Sequence, residues 1–319
     1  MRILFFGTPE FATPPLRGLL GEGHDVVGVV TQPDRPQGRS RSTLVASPVK
    51  QVALAAGIPV FQPDRPRGDE FLAQLRALEP DLSVVVAYGH ILRQDLIDLP
   101  RLGTVNIHAS LLPRWRGAAP IQAAILAGDA ETGVSIMRLV LALDAGPVLL
   151  SLRTPINDGE TAGKLTERLS EMGAEAIVDA VGMLDRGGID EASQDESLVV
   201  FAPKIDRAQA RVDFRQTAAQ VARAINAFDP KPGAWGTVRA GEVRLYGARA
   251  IVDRQGDAGA VLEVGEMGMI VACGQGAVAV EAVHPSGKRR LAALDWALGR
   301  GIAAGDRWDI MGDPAGEGD

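Results

Sequence analysis

The chain has 319 residues, about twice the length of a common domain, which favours two domains. Its composition, 46% hydrophobic and 23% charged, excludes a disordered chain, because the apolar surface is large enough to offset the entropy lost on ordering. The net charge of −7 argues against a uniformly basic protein. Residues 201–250 nevertheless contain nine basic and four acidic side chains, so a local surface for an anionic partner stays possible.

The single cysteine excludes an internal disulfide framework and a cysteine-cluster zinc site. The apolar runs are too short to cross a bilayer, and the first ten residues lack the long apolar core of a secretory signal. We therefore expect a cytoplasmic protein with no membrane partner.

The first half of the chain alternates short apolar runs with helical patterns, which predicts a parallel sheet flanked by helices. A long polar loop is expected at residues 32–41, and the almost wholly apolar run at 82–87 is typical of a strand buried on both faces. The predicted strands are residues 3–6, 25–31, 60–61, 82–87, 104–108, 134–139 and 148–153. The predicted helices are residues 9–20, 48–56, 69–78, 120–126 and 161–184.

The second half of the chain has a different pattern. Residues 187–204 are polar and irregular, which indicates a linker, and residues 217–228 form an amphipathic helical pattern. Short alternating runs with glycine-bearing turns follow between residues 236 and 283, and they predict a small β-barrel or sandwich. The fold class is therefore α/β, with a Rossmann-like open, parallel-rich sheet at residues 1–188, a linker at 189–205 and a small β-barrel domain at 206–319.

Several common functional motifs are absent from the sequence. No GxGxxG follows the first strand, and neither GxxxxGK[ST] nor HExxH occurs. A doubly wound sheet here does not imply a nicotinamide cofactor or a bound nucleotide phosphate. The spacing of His, Cys, Asp and Glu also indicates no metal site.

The densest group of polar residues lies at 104–117. If residues 104–108 form a strand, Asn106 and His108 face the same side of its carboxyl end, where open parallel sheets bind ligands. An amide beside an imidazole can stabilise an oxyanion and move a proton. Asp144, in a tight turn after an inner strand, could orient the imidazole. Spacing alone leaves open the alternative that Asn106 and His108 are satisfied polar groups and Asp144 only a turn residue.

Nearly the whole chain resembles the methionyl-tRNA formyltransferase family. The most specific matching segment is HASLLPRWRGAAPI at residues 108–121, and shorter matches are FGTPEFA at 6–12, TQPDRP at 31–36, VVAYG at 85–89, GDAETGV at 128–134 and LDAG at 143–146. The resemblance implies a formyltransferase fold that uses 10-formyltetrahydrofolate as its formyl donor, with no metal. The implied reaction is attack of the free α-amino group of methionyl-initiator tRNA on the formyl carbon, giving N-formylmethionyl-tRNA for translation initiation.

By the same resemblance, Asn106, His108 and Asp144 occupy the catalytic positions of the family. Asn106 would hold the formyl oxygen as it becomes an oxyanion, His108 would relay the proton of the amine, and Asp144 would fix the state of His108. The residues that resemble the folate-contacting segments of the family are Ser110, Leu111, Leu112, Pro113, Val86, Tyr88, Gly89 and Ile91. For Val86 and Ile91 the alternative is a place in the core.

The second half resembles the C-terminal domain of the family, an OB-like barrel that gives the tRNA a second surface. The candidate tRNA contacts are Arg39 and Arg41 in the polar loop, and Lys204, Arg211, Lys288, Arg289 and Arg290 in the second half. Solvated charges without a ligand are the alternative in both places. The sequence departs from the family around Arg41, at Ala142, where glycine is common, and at Asn226, where arginine is usual.

Two other functions remain open at this stage. Folate-dependent formyltransferases that act on glycinamide ribonucleotide or on sugar nucleotides share the Asn, His and Asp positions, as does the hydrolase domain of formyltetrahydrofolate dehydrogenase. An RNA-binding module with an inactive catalytic half is the non-enzymatic alternative. The C-terminal match favours a tRNA substrate, and the intact Asn106, His108 and Asp144 favour an active enzyme. We expect a monomer.

Overall fold

The structure, a computed structural model, describes residues 1–37, 43–239 and 241–310. These residues form two compact units. The first contains the described residues up to Pro120 together with Glu131–Thr154 and Thr166–Ala202. The second contains Ile121–Ala130, Pro155–Leu165 and the described residues from Pro203 onward. The chain therefore enters the second unit twice before it leaves the first at Ala202, and the division into residues 1–188, 189–205 and 206–319 stays a prediction.

The elements of the first 202 residues alternate between strands and helices. The strands are β1 (Arg2–Gly7), β2 (Asp25–Val30), β3 (Arg35–Gln37), β4 (Thr43–Val45), β5 (Val60–Phe61), β6 (Leu82–Val86), β7 (Thr104–His108), β8 (Arg114–Gly117), β9 (Glu131–Arg138), β10 (Val148–Pro155) and β11 (Val200–Ala202). The α-helices are α1 (Thr13–Gly21), α2 (Pro48–Ala55), α3 (Asp69–Arg76), α4 (Gln94–Ile97), α5 (Pro120–Ala127) and α6 (Ala162–Asp185). Short 3-10 helices lie at Glu10–Ala12 and Glu196–Leu198.

Seven strands of the described chain form one open sheet in the order β10-β9-β7-β6-β1-β2-β5. Neighbours from β7 to β5 run parallel, whereas β9 pairs antiparallel with β7. Every residue of β6 is buried, as its valine-rich sequence predicts. Full burial of one such side chain contributes about 1.5–3 kcal/mol. The predicted parallel-rich α/β sheet is confirmed.

The loops at the carboxyl edge of this sheet are joined by hydrogen bonds. The Thr8 hydroxyl after β1 donates to the Tyr88 carbonyl after β6 at 3.1 Å. The Gln32 side chain after β2 donates to the same carbonyl at 3.0 Å, and its main-chain N–H donates to the Thr8 hydroxyl at 3.3 Å. Three strand ends are thus fixed relative to one another at the edge where ligands bind.

Two short strand pairs are absent from the sequence-based prediction. β3 and β4 pair antiparallel on either side of residues 38–42. β8 pairs parallel with β11, which lies inside the segment expected as a linker. Val200 of β11 is opposite Arg114 of β8, more than eighty residues away in sequence. Strands this short have no readable periodicity, and their distant partners leave no local signal.

The second unit contains an antiparallel sheet. From Pro203 onward its elements are a 3-10 helix (Ala208–Ala210), α7 (Ala218–Ala227), β12 (Ala234–Val238), β13 (Gly241–Ile251), β14 (Val261–Gly265), β15 (Gly268–Ala272), β16 (Ala277–Pro285), β17 (Leu291–Ala292) and α8 (Ala293–Leu298). The sheet order in the described chain is β12-β13-β16-β15-β14, with β17 beside β16. The predicted short strands are confirmed, their pairing is antiparallel, and the OB-like barrel stays a prediction.

The core of the second unit lies between this sheet and helix α7. Thr217 caps α7 by accepting a hydrogen bond from the Gln220 main chain, and the Gln220 side chain accepts one in return, which completes a capping box. Val221 and Ile225 of the helix are buried in the same cluster as Trp308. Near Trp308, the chain bonds to both edges of the sheet, since Trp308 N–H donates to the Gly259 carbonyl and Asp309 N–H to Thr237.

Candidate active site

His108 is the last residue of β7, on the face of the sheet opposite helix α6. Ile107, its neighbour in the strand, points towards α6. A Cβ atom added at Gly173 of that helix would lie 3.2 Å from the Ile107 Cγ2 atom. His108 is buried, and its Nε2 lies 2.8 Å from the Trp115 carbonyl oxygen. Because a carbonyl can only accept, this contact assigns the ring proton to Nε2 and leaves Nδ1 as the basic nitrogen.

Asp144 faces the other nitrogen of this ring. Its Oδ2 lies 3.7 Å from His108 Nδ1 and accepts a hydrogen bond of 2.8 Å from the Gly117 N–H. The backbone of Asp144 is left-handed, with φ of +48°, which is uncommon for a residue with a Cβ. The sequence-predicted neighbours His108 and Asp144 are therefore brought together, and the carboxylate can accept a hydrogen bond from a charged imidazole.

Asn106 projects from the same face of β7 as His108, two residues earlier in the strand. It is half-buried. Its side-chain amide has no hydrogen-bond partner among the described residues. An amide without a partner on this face can donate a hydrogen bond to a ligand oxygen.

The three residues from Trp115 to Gly117 hold both ends of the His108–Asp144 pair. Trp115 supplies the carbonyl for His108, and Gly117 supplies the N–H for Asp144. Gly117 has φ of +122°, and a Cβ there would come within 2.6 Å of the Ala202 carbonyl oxygen. Only glycine at this position lets β8 lie beside β11 while the Gly117 N–H points at the Asp144 carboxylate.

The expected folate segment after β7 is tied to the sheet through serine hydroxyls. The Ser110 hydroxyl donates to the Arg114 carbonyl at 2.6 Å. The Ser135 hydroxyl of β9 donates to the Ser110 carbonyl at 2.8 Å and accepts from the Leu112 N–H at 3.2 Å. Ser110 is thus a buried structural group, and the partly exposed apolar side chains of the segment are Leu111, Leu112 and Pro113.

The other expected folate residues, after β6, have very different exposures. Val86 is fully buried, Gly89 is exposed, and Ile91 is 90% exposed, so the core alternative describes Val86 and not Ile91. The Tyr88 ring is buried edge-to-face against Phe6, with centroids 5.5 Å apart. Its hydroxyl has no partner among the described residues, and burial raises the pKa of Tyr88 to about 12. The Tyr88 side chain therefore belongs to the core.

The basic residues expected at a tRNA surface differ in their environments. Arg39 and Arg41 lie outside the described residues. Lys204, Lys288 and Arg289 are exposed, and none of the three forms an ion pair with a described residue. Their charges are therefore directed to solvent and open to phosphate groups.

Arg290 and Arg211 are held more firmly. The Arg290 guanidinium lies 4.1 Å from the centre of the Tyr246 ring and pairs with the buried Asp229 carboxylate at 3.2 Å. Arg211 lies 5.5 Å from the centre of the Trp235 ring, and its Nε is buried without a hydrogen-bond partner among the described residues. Both arginines therefore have structural contacts.

Asn226, which stands where the family usually has arginine, has a structural environment as well. Its amide donates to the Ala248 carbonyl and accepts from the Ala248 N–H, both at 2.8 Å. Asn226 is buried, so these two bonds fasten α7 to β13. The position contributes no charge to a tRNA surface.

One group of contacts at the site has no counterpart in the sequence analysis. Gln194 donates hydrogen bonds of 2.8 Å to the carbonyls of Asp144 and Gly146. Arg116 donates to the Gln194 side chain at 3.0 Å and pairs with Glu196. No local pattern separates Gln194 from other polar residues of the expected linker, because its partners are about fifty residues away in sequence.

The described chain has one cysteine, and it lies outside the candidate site. Cys273 is buried in the core of the second unit, and burial raises the pKa of its thiol to about 12, so the thiol stays protonated at neutral pH. The described residues contain no group of three or more His, Cys, Asp or Glu side chains placed to hold a metal ion. None of the described helices combines the length and apolar character that crossing a membrane requires.

Family models match both parts of the chain. Residues 1–181 match the model described as Formyl transferase, and residues 204–301 match the model described as Formyl transferase, C-terminal domain. The open sheet and the two matches together define a formyl transferase.

Curated relatives narrow this class. The methionyl-tRNA formyltransferases of Dechloromonas aromatica and Xanthomonas campestris are 46% and 50% identical to this chain. The alignments cover 97% and 93% of this chain, and 99% and 96% of those proteins. The chain belongs to the methionyl-tRNA formyltransferase family.

Solved structures of more distant proteins share the fold. HypX from Aquifex aeolicus in complex with tetrahydrofolic acid has a TM-score of 0.68 at 21% identity, over 94% of this chain and 47% of that one. This chain therefore spans about half the length of HypX. The N-formyltransferase from Helicobacter canadensis, in complex with folinic acid and dTDP-3-aminofucose, has a TM-score of 0.67 at 16% identity, over 91% of this chain and 99% of that one.

The unpaired hydroxyl of Tyr88 leads to a testable expectation. We expect Tyr88→Phe to be at least as stable as the wild type, and up to about 1–3 kcal/mol more stable, because an unpaired buried hydroxyl is costly. Urea unfolding measures the difference. Phe6→Leu, which removes the edge-to-face contact, should be less stable. A clear loss of stability in Tyr88→Phe, or a raised KM for the folate donor, would show that the hydroxyl has a bonding partner. Either result would contradict the assignment of the Tyr88 side chain to the core.

Proposed function

We propose that this chain transfers the formyl group of 10-formyltetrahydrofolate to the free α-amino group of methionyl-initiator tRNA. The observation that carries the proposal is the 46–50% identity to methionyl-tRNA formyltransferases over nearly the full length of both partners. Identity over both the sheet domain and the C-terminal domain distinguishes this chain from the sugar N-formyltransferases, which share the fold at 16% identity.

The geometry of the site fits a formyl donor. The unpartnered amide of Asn106 gives the formyl oxygen a donor, and the apolar side chains of Leu111, Leu112 and Pro113 suit one face of a flat heterocycle. Ile91, exposed after β6, and the main chain at Gly89 are proposed for the other side. Of the remaining folate residues, Ser110, Val86 and Tyr88 act by supporting these segments. The bound donor supplies the formyl group that the amine attacks.

Each catalytic side chain then has one task. The Asn106 amide donates to the formyl oxygen as negative charge develops on it. His108 Nε2 is occupied by the Trp115 carbonyl, so the proton lost by the attacking amine would be taken up at Nδ1. The Asp144 carboxylate, 3.7 Å from Nδ1, stabilises the imidazolium that results. A new bond joins the amine nitrogen to the formyl carbon, and the bond from that carbon to the folate nitrogen breaks. In the net reaction the proton lost by the amine ends on that folate nitrogen, which leaves as the neutral amine of tetrahydrofolate.

The tRNA is proposed to bind basic side chains of both halves of the chain. Lys204, Lys288 and Arg289 are the strongest candidates in the second unit, because their charges have no described ion-pair partner. Arg39 and Arg41 complete the proposal on the basis of the family resemblance. Arg211 and Arg290 are proposed as weaker phosphate contacts, since part of their charge is already engaged.

The proposal extends to the state of the protein in the cell. A cytoplasmic location follows from its substrates, because charged tRNA and reduced folates are used where translation takes place. The matched ranges 1–181 and 204–301 support a catalytic domain at residues 1–188, a linker at 189–205 and a tRNA-binding domain at 206–319. A monomer is proposed as the active form.

The choice of acceptor is tested with the purified chain and radiolabelled 10-formyltetrahydrofolate. We expect formyl transfer to methionyl-initiator tRNA, and no comparable rate with glycinamide ribonucleotide or an amino-sugar nucleotide at equal concentration. A higher kcat/KM for either small acceptor would overturn the assignment of tRNA as the substrate. Transfer to none of the three acceptors would overturn the proposed formyltransferase activity.

Removal of the Asn106 amide tests the oxyanion role. We expect Asn106→Ala to lower kcat by about 10²–10³, because one donor to a developing oxyanion contributes about that much. Steady-state formylation of methionyl-tRNA measures the change. Gln74→Ala, which removes an exposed amide on α3, is the matched control and should keep the wild-type rate. A near wild-type kcat for Asn106→Ala would contradict the assignment.

Salt dependence tests the phosphate contacts. We expect the Lys288→Ala/Arg289→Ala variant to bind tRNA with a log K against log[salt] slope reduced by about two, since each phosphate contact contributes about 0.9. Filter binding between 50 and 200 mM salt, the range over which such contacts are visible, would measure it. Arg76→Ala on α3 removes an exposed charge of the first unit and should leave the slope unchanged. Equal slopes for the double variant and the wild type would show that Lys288 and Arg289 do not contact tRNA phosphates.

A further inference from the structure

The turn that carries Asp144 is held by a side chain from the segment just before β11. Both hydrogens of the Gln194 amide are used, since Nε2 donates to the carbonyls of Asp144 and Gly146 at 2.8 Å each. These carbonyls lie on either side of Ala145, where the chain reverses. Asp144 itself has φ of +48°, a conformation that a residue with a Cβ adopts only when its surroundings enforce it.

The orientation of the Gln194 amide is fixed from its other side. Arg116 Nε donates to Gln194 Oε1 at 3.0 Å, so the oxygen must face Arg116 and the NH₂ group must face the turn. The rest of the Arg116 guanidinium forms a fork to the two Glu196 oxygens, at 2.8 and 3.3 Å. The Arg116 side chain is 4% exposed, whereas Glu196 is largely in solvent. A buried arginine with all these contacts has little freedom to move.

Arg116 also lies between the two main-chain groups that contact the catalytic pair. The residue before it, Trp115, offers its carbonyl to His108, and the residue after it, Gly117, donates its N–H to Asp144. A displacement of Arg116 would therefore be felt at both contacts. Through Gln194 the same arginine is joined to the Asp144 main chain. Asp144 is therefore held both at its main-chain carbonyl and at its carboxylate oxygen.

We propose that Gln194, held by Arg116 and Glu196, is a positioning residue that sets the Asp144 carboxylate against His108. This inference rests on the proposed function of the site, and it adds a residue to which neither the family resemblance nor the comparisons give a role. Among the described residues, Gln194 forms hydrogen bonds with main-chain carbonyls and with the Arg116 guanidinium, so we infer that it acts through Asp144.

An anchoring role for the whole segment would predict something different. Glu191, three residues before Gln194, pairs with Arg138 of β9 at 2.7 Å. If the segment only needed to be attached to the first unit, loss of this ion pair would matter as much as loss of the Gln194 contacts. Glu191→Gln is therefore the matched control for Gln194→Ala.

The kinetic test compares Gln194→Ala, Asp144→Ala and the double variant. We expect Gln194→Ala to lower kcat by roughly tenfold to a hundredfold, the effect of a small misplacement of a catalytic group, with both KM values within about twofold of wild type. In the Asp144→Ala background the same change should have no further effect, because the group it positions is gone. Glu191→Gln should keep the wild-type kcat. Additive losses in the double variant, or a loss confined to KM, would overturn the proposal.

A second readout is independent of activity. The Gly117 N–H is protected by its bond to Asp144 Oδ2, so its hydrogen exchange reports whether the carboxylate is in place. We expect faster exchange at Gly117, Ala145 and Gly146 in Gln194→Ala than in wild type or Glu191→Gln, at equal global stability. Unchanged exchange would overturn the positioning role whatever the substrate proves to be. Failure of the proposed function, in contrast, would appear as absent formyl transfer by the wild type.

Discussion

The imidazole of His108 is constrained at both of its nitrogens, and the proposed chemistry depends on this. The Trp115 carbonyl accepts a hydrogen bond of 2.8 Å from Nε2–H, which leaves Nδ1 basic and directed towards Asp144 at 3.7 Å. A free imidazole exchanges its two tautomers readily, whereas the Trp115 carbonyl favours the tautomer that carries its proton on Nε2. The Asn106 amide, on the same face of β7, is left without a described partner. The proposed site therefore combines one base, held at Nε2, with one open donor.

The first unit supplies this geometry from three separate parts of the chain. The strand end at β7 carries Asn106 and His108, the turn after β9 carries Asp144, and β8 lies between them with contacts to each side. The basic charge expected to bind RNA lies mostly in another part of the sequence, where Lys288 and Arg289 are exposed in the second unit. The acidic total of the chain is compatible with this arrangement, because phosphates respond to the local field.

Much of the fold and the core of the site could be predicted from the sequence. The bounds of β7 were predicted to the residue, and period-two alternation placed Asn106 beside His108. The tight turn after an inner strand suggested Asp144 as the partner of His108, and the resemblance favoured that role over a plain turn residue, because no local pattern contains the distance between the two side chains. β8, β11 and Gln194 could not be predicted, because short polar strands and a lone glutamine have no periodicity and find partners about fifty or more residues away. The Tyr88 side chain was expected at the folate site, and only coordinates could place it beside Phe6.

The route of the chain between the two units has a consequence for how such an enzyme can be divided. Residues 121–130 and 155–165 belong to the second unit although they lie, in sequence, inside the first, and the first unit ends only at Ala202. A fragment cut after residue 181, where the family match of the first half ends, would lack β11 and the strand pairing that Gly117 permits. Recombination or fusion at that point would give a sheet whose turn at Asp144 lacks its hydrogen bonds from Gln194. The end of the family match at residue 181 therefore does not coincide with the end of the first unit, even though each unit has a hydrophobic core of its own.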